Sequence, residues 1–253
     1  MDRNDFMIFK WGKILWPLAA FSIFLSGCND LTEKKAKREA TAEEMYLSAD
    51  AKLKDNLNAE AASLFAAVER QYPYSEWAKK SLLMSAIANH NGAFYEESRA
   101  DAERYLDFYP ADVDAAHAQY LIALSYYDQI DNVSRDQSVT FNALQAFRTV
   151  IERYPNSEYT SPSLLKFDLS LDHLAGAEME VGRYYLKRGH FGAAISRFRV
   201  VVEEFETTSH TPEALHRLVE SYLSLGLTAN AQTTGAILGH NFQGSDWYKN
   251  SYV

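Results

Sequence analysis

A single cysteine, Cys28, stands in 253 residues, so no disulfide can form within the chain. Glycine and proline are scarce, at 11 and 6, which argues against an all-β fold with its many glycine turns. Positive charge is in deficit: 25 basic residues face 34 acidic ones, for a formal charge of −9. A nucleic-acid backbone binder needs surplus Lys and Arg to release counterions, so that class is excluded. What is plentiful is apolar surface, 47% of residues, together with Ala, Leu, Glu and Tyr. That is enough for a packed core, and it favours helices.

The first segment reads as an address. Lys10 and Lys13 precede an apolar run from Ile14 to Leu25, interrupted by Pro17. A spanning helix needs roughly 20 apolar residues, so this shorter run fits a signal-peptide core. It ends in Leu25-Ser26-Gly27-Cys28, which resembles the lipobox of bacterial lipoproteins. Residues 1–27 are therefore expected to be a lipoprotein signal peptide and Cys28 the lipid attachment point. Residues 28–40 are expected to be the lipidated cysteine and a solvated, charge-rich tether. One acyl chain binds a membrane only reversibly; the triacylated cysteine that the lipobox implies anchors durably.

Beyond residue 40 the chain repeats. A helical pattern ends three times in aromatic-Pro, at Tyr72-Pro73, Tyr109-Pro110 and Tyr154-Pro155. Proline cannot continue a helix interior and biases the residue before it out of the helical region. Twelve residues ahead of these prolines stand Ala61, Ser98 and Ala143, and eight ahead stand Phe65, Ala102 and Phe147. Small and apolar side chains at those offsets match the second helix of a tetratricopeptide repeat. A clearer unit runs from Ala175 to Glu206, with Gly182 for close helix approach, Gly189 in the turn, then Ala194, Phe198 and Val201. A fifth unit carries Leu218, Tyr222, Gly226, Ala231 and Leu238.

Local signals set the boundaries. Thr41 to Glu44 forms a capping box, and Ser161-Pro162 and Thr211-Pro212 each read as an N-cap followed by proline at the first helical position. Asp131 to Gln137 reads as an inserted loop, and Ser163 to Arg188 as one long helix. The expected fold is all-α: a tetratricopeptide-repeat superhelix of about five helical hairpins, with a long helix linking N-terminal repeats (41–160) to C-terminal ones (161–253). Such solenoids offer a concave surface for extended peptides or partner domains.

Chemistry-bearing constellations are missing from the sequence. None of the seven histidines forms an i, i+4 pair, and there is no nucleophile elbow, P-loop or dinucleotide fingerprint. Asp172-His173 reads as a solvated or capping pair. Glu203 and Glu204 are adjacent on a helix, so their carboxylates diverge. No enzyme activity, cofactor or metal is expected. Most aromatics fall at packing offsets; Tyr74 and Trp77, just past the first proline stop, do not, and a groove role is open to them. Arg197 and Arg199 flank an inward Phe198, so at least one points outward.

The runs at 172–189, 194–205 and 207–220, with Tyr-Pro-Tyr-Ser-Glu-Trp-Ala (72–78) and 120–130, resemble the BamD family of outer-membrane protein assembly lipoproteins. The resemblance covers nearly all of residues 40–253. It implies a scaffold anchored by its N-terminal lipid on the periplasmic face of the outer membrane. The implied partners are a POTRA-containing barrel assembly subunit, other assembly lipoproteins and unfolded outer-membrane proteins, with no nucleic acid. By motif match it assigns Arg197, with Arg188, to the barrel-subunit contact, and Tyr72, Tyr74 and Trp77 to the substrate-facing region. An alternative stays open, a lipid-anchored periplasmic repeat adaptor coupling cell-division or peptidoglycan machinery to the outer membrane. Tyr-Pro-Asn-Ser at 154–157 suits it, whereas the lipobox and the lack of an N-terminal heptad run do not.

Overall fold

The computed structural model describes residues 39–251. The expected signal peptide, Cys28 and most of the expected tether lie outside the described residues. From residue 40 onward the described residues group as one compact unit. Its helices are α1 (Ala42–Lys54), α2 (Asn58–Gln71), α3 (Glu76–Asn91), α4 (Tyr95–Phe108), α5 (Ala115–Tyr127) and α6 (Ser138–Arg153). They continue as α7 (Thr160–Lys187), α8 (Phe191–Glu204), α9 (Thr211–Ser224), α10 (Thr228–Asn241) and the short α11 (Asp246–Ser251). Each helix packs on its chain neighbours, so α1–α10 form five stacked hairpins; α1–α3, α3–α5 and α5–α7 also touch.

One ruler governs the second helix of every hairpin. Each ends on an aromatic: Tyr72, Tyr109, Tyr154, Phe205 and Phe242, with φ between −125° and −132°. The last two lack the proline, so the aromatic rather than Pro marks the stop. Four residues before each lies a buried Val68, Tyr105, Val150, Val201 or Leu238. Eleven before each lies a buried Ala61, Ser98, Ala143, Ala194 or Ala231. In the second hairpin the ruler puts a hydroxyl inside, and Ser98 satisfies it by donating to the Ala86 carbonyl at 2.8 Å and accepting from Ser125 at 3.2 Å.

Within four hairpins the turn is closed by a single left-handed residue, Asn56, Ala93, Gly189 or Gly226, with φ from 59° to 76°. The next amide then reaches five residues back, as in Phe94 N–H to the Asn89 carbonyl and His190 N–H to the Tyr185 carbonyl. In the second hairpin the strained position falls on Ala93, one residue past the glycine; Gly92 is needed instead because a Cβ there would lie 2.8 Å from the Phe94 ring. The third hairpin replaces this turn with the loop 128–137, which contains the expected insertion.

The long helix is present as α7, 28 residues against 13 to 16 in α1–α6 and 14 in α8, α9 and α10. The capping box at Thr41 and Glu44 forms as expected. Ser161 and Thr211 are not N-caps. Tyr159 and His210 hold those positions without a side-chain cap bond. The linker explains the shift: the Thr160 and Thr211 hydroxyls, each six residues past the terminal aromatic, donate back to the Tyr154 and Phe205 carbonyls at 2.6 and 3.1 Å. The helices therefore start earlier than the proline signal indicates.

At Gly182 α7 and α8 approach closely: a Cβ there would sit 2.4 Å from the ring of Phe198, which is fully buried. Gly182→Ala is expected to destabilise by about 2 kcal/mol, since neither helix can yield in a packed core. Gly192, in α8 with open space around its Cα, gains helix propensity on substitution. Gly192→Ala should therefore leave the urea midpoint unchanged or raise it, by up to about 1 kcal/mol.

Candidate interaction surfaces

The aromatic linkers make a clasp at each junction between hairpins. At four of the five linkers the fifth residue past the terminal aromatic folds back onto the first helix of the preceding hairpin. Trp77 lies 4.9 Å from Tyr46, Tyr159 stacks on His117 at 4.8 Å, and Trp247 lies 5.4 Å from His216. His210 approaches Asp172 at 3.6 Å, and Asp172 also accepts from the Ser209 amide and hydroxyl at 2.9 and 2.7 Å. Asp172 thus holds the start of α9, while its neighbour His173 keeps a buried Nε2 with no hydrogen-bond partner. The remaining junction is ionic: Lys79 donates to Asp112 at 2.7 Å, and Asp112 also accepts from the buried Tyr105 at 2.8 Å. The Lys79 ammonium, then the Asp114 amide, hold the Asp112 carboxyl down at about 2, so this pairing survives well into acid.

The three N-terminal candidates separate on this scaffold. Tyr72 caps α2 and donates its hydroxyl to the Ala40 carbonyl at 2.6 Å. Trp77 is half-buried between Tyr46 and Lys80, whose Nζ lies 4.9 Å from its ring. Tyr74 is fully exposed, at 101%. Nearby, an open cleft of about 430 Å³ lies between α2 and α4, lined by Ala59, Ala62, Ala66, Phe94 and Glu97.

The C-terminal candidates frame one stretch of α7. Glu178, Val181, Tyr184 and Arg188 recur at helical spacing and share a face. Arg197 of α8 reaches across to Glu178 at 3.1 Å and remains 46% exposed. Arg188 lies over the Tyr184 ring at 4.5 Å. Ten residues separate Glu178 from Arg188, about 15 Å of helix, so the two arginines bracket the stretch. Arg199 also faces solvent, paired with Glu203 one turn along its own helix at 2.6 Å. A cleft of about 440 Å³ runs beside this stretch, walled by Glu178, Val181 and Tyr184 on α7 and by Val133 and Arg135 of the inserted loop. The sequence gives no signal for Glu178 or for the loop wall, because both depend on contacts between distant segments.

Among the described residues no cluster of three or more His, Cys, Asp or Glu is placed to hold a metal ion, and no helix is long and apolar enough to cross a membrane. The fold and its open surfaces define a helical-repeat scaffold. The YfiO family, described as an outer membrane lipoprotein, matches residues 38–237. The outer membrane protein assembly factor BamD of Caulobacter vibrioides is 51% identical over 76% of this chain and 63% of its own length. BamD of Rickettsia prowazekii is 39% identical, over 96% of both chains. The P58(IPK) TPR domain is 14% identical with a TM-score of 0.38, covering 83% of this chain and 64% of that one. The chain belongs to the YfiO family of outer membrane lipoproteins.

Two outcomes follow for the junctions. Trp77→Ala, which opens a half-buried clasp, should cost about 2 kcal/mol, whereas Tyr74→Ala should stay within about 0.5 kcal/mol in a denaturant titration. Burial beneath Tyr159 pushes the His117 imidazole below its ordinary 6.5, against the opposing pull of Asp114 and Glu158. The unfolded chain then takes up a proton that the folded one refuses, so stability is complete above that value and falls as pH drops through it. Between about pH 7 and pH 5 the wild-type protein should lose stability, and His117→Phe should lose less of it.

Proposed function

We propose that the chain is a non-enzymatic scaffold lipoprotein for outer-membrane protein assembly. In this reading its lipid, on Cys28, holds it on the periplasmic face of the outer membrane. The observation that carries the proposal is the match to relatives named as assembly factors, which reaches across the whole repeat array. The C-terminal repeats (161–253) dock a POTRA-bearing barrel subunit through Arg197 and Arg188, and other assembly lipoproteins join the complex. The N-terminal repeats (41–160) meet unfolded outer-membrane protein clients at the edge where Tyr72, Tyr74 and Trp77 lie.

The geometry supports this division of labour. Arg197 is exposed and held by Glu178, so a partner carboxylate can take over a charge-assisted bond that is already formed once within the chain. The guanidinium arrives pre-positioned, and little side-chain freedom is lost on docking. At the other end, Tyr74 offers an aromatic face without structural duties, suited to brief contact with a client that must be released. No step calls for a cofactor, a metal or a nucleotide.

The test is affinity purification from detergent-solubilised membranes. Arg197→Ala is expected to weaken recovery of a POTRA-containing barrel protein roughly tenfold, about 1.4 kcal/mol. Arg199→Ala, which removes only a one-turn pair on the helix surface, should leave it unchanged. Recovery that ignores Arg197 would move the docking site elsewhere. Recovery of division or peptidoglycan factors in place of the barrel protein would overturn the assembly role.

A further inference from the structure

The first half of α7 sends Phe167 to the core but leaves three of its leucines outside. Between Thr160 and His173 the fully buried positions are Ser163 and Ser170, whereas Leu164, Leu165 and Leu169 stand in solvent, 46%, 63% and 48% exposed. Positions 164, 165, 168, 169 and 172 share one helical face, so the three leucines are interleaved with Asp168 and Asp172. The face is open because α8 has half the length of α7 and folds back along its C-terminal half alone. Beyond the end of α8 the chain turns, and that turn supplies a second wall. Leu165, Asp168, Leu169 and Asp172 line a cleft of about 390 Å³ with Thr207, Thr208 and Ser209.

Single exposed leucines need no explanation, but three together with serines in their place inside form a surface suited to an outside contact. Its charge narrows the occupant. Asp172 is committed to Ser209, while Asp168 makes no ion pair among the described residues, and no Lys or Arg lines the cleft. An anionic lipid surface would be repelled. A second copy docked about a two-fold axis would present the same face, whose cleft holds no Lys or Arg to meet Asp168. The chain's own segment 29–40 has the complementary charge in Lys34, Lys35, Lys37 and Arg38, but its one large apolar residue, Leu31, cannot cover three leucines.

We propose that this face docks a segment of a separate polypeptide, one that presents two or three branched apolar side chains beside a Lys or Arg. The apolar groups lie along Leu164, Leu165 and Leu169, and the cation meets Asp168. The backbone of the segment runs past the exposed Thr207. This surface is additional to Arg197 and Arg188 and does not depend on them.

The experiment places the photo-crosslinker p-benzoylphenylalanine at Leu165 of the full chain in its native envelope. Position Leu223, exposed on α9, serves as the control. The expected result is an adduct from 165, absent from 223, with a different polypeptide. Sequencing of the linked peptide by mass spectrometry should find Lys or Arg within about one helical turn of the attachment point. Asp168→Lys should lower the adduct yield about fivefold, and Asp168→Asn should lower it less, in the same direction. Several results would overturn the proposal: no adduct at 165, an adduct to a second copy, to lipid or to residues 1–40, a linked peptide without a cation, or a yield that ignores both Asp168 variants. A melt of each variant in step with wild type keeps these outcomes from being confused with unfolding.

Discussion

The stack depends on how one hairpin is joined to the next. At every junction the terminal aromatic leaves the helix with φ near −130°, and its carbonyl accepts the amide three residues on, as in Tyr72 with Ser75 and Phe205 with Thr208. That bond turns the chain tightly enough for the next helix to start four or six residues after the aromatic. It also delivers Trp77, Tyr159, His210 and Trp247, each the fifth residue on, and at the remaining turn Asp112, the third, onto the preceding hairpin. In a solenoid each hairpin can bury its apolar face only against its neighbours, so the junction fixes the angle at which that burial occurs. Proline follows the aromatic in three of the five turns, the last of which leads to α11, and stiffens the turn without creating it.

This hierarchy explains what could be read from the sequence. The five hairpins, the long helix and the insertion are legible because spacing carries them: small residues, apolar residues and aromatics recur at offsets that survive substitution. Gly182 is legible because close approach leaves no other residue type. The N-caps at Ser161 and Thr211 are misread because a hydroxyl before proline is an ambiguous local signal. In the folded chain Thr160 and Thr211 bond backwards to a carbonyl, a choice made by the junction geometry. Glu178 meets Arg197 only when α7 and α8 fold against each other, and the loop residues Val133 and Arg135 reach α7 only when the third and fourth hairpins are stacked, so none of these contacts leaves a local trace.

The same contrast separates scaffold from surface among the aromatics. Tyr72 and Trp77 sit in a motif that the eye takes as one cluster with Tyr74, yet a hydroxyl bond to Ala40 and a ring contact to Tyr46 give the first two structural duties. Only Tyr74 is left wholly to solvent. On α7 the order reverses, and the exposed members, Val181, Tyr184 and the leucines of its first half, are those the repeat ruler does not require. A long helix inside an array of short ones exposes surface that no neighbour covers, and an assembly scaffold can use that surface without disturbing its own core.

The central claim is that partners hold the C-terminal repeats while the N-terminal edge stays open. Hydroxyl-radical footprinting of the protein alone and in the membrane-extracted complex tests it directly, because Tyr184 and Tyr74 report on the two ends and both are exposed in the free chain. The account predicts that oxidation of Tyr184 falls sharply in the complex while Tyr74 stays reactive. Protection of Tyr74 with Tyr184 still reactive would contradict it.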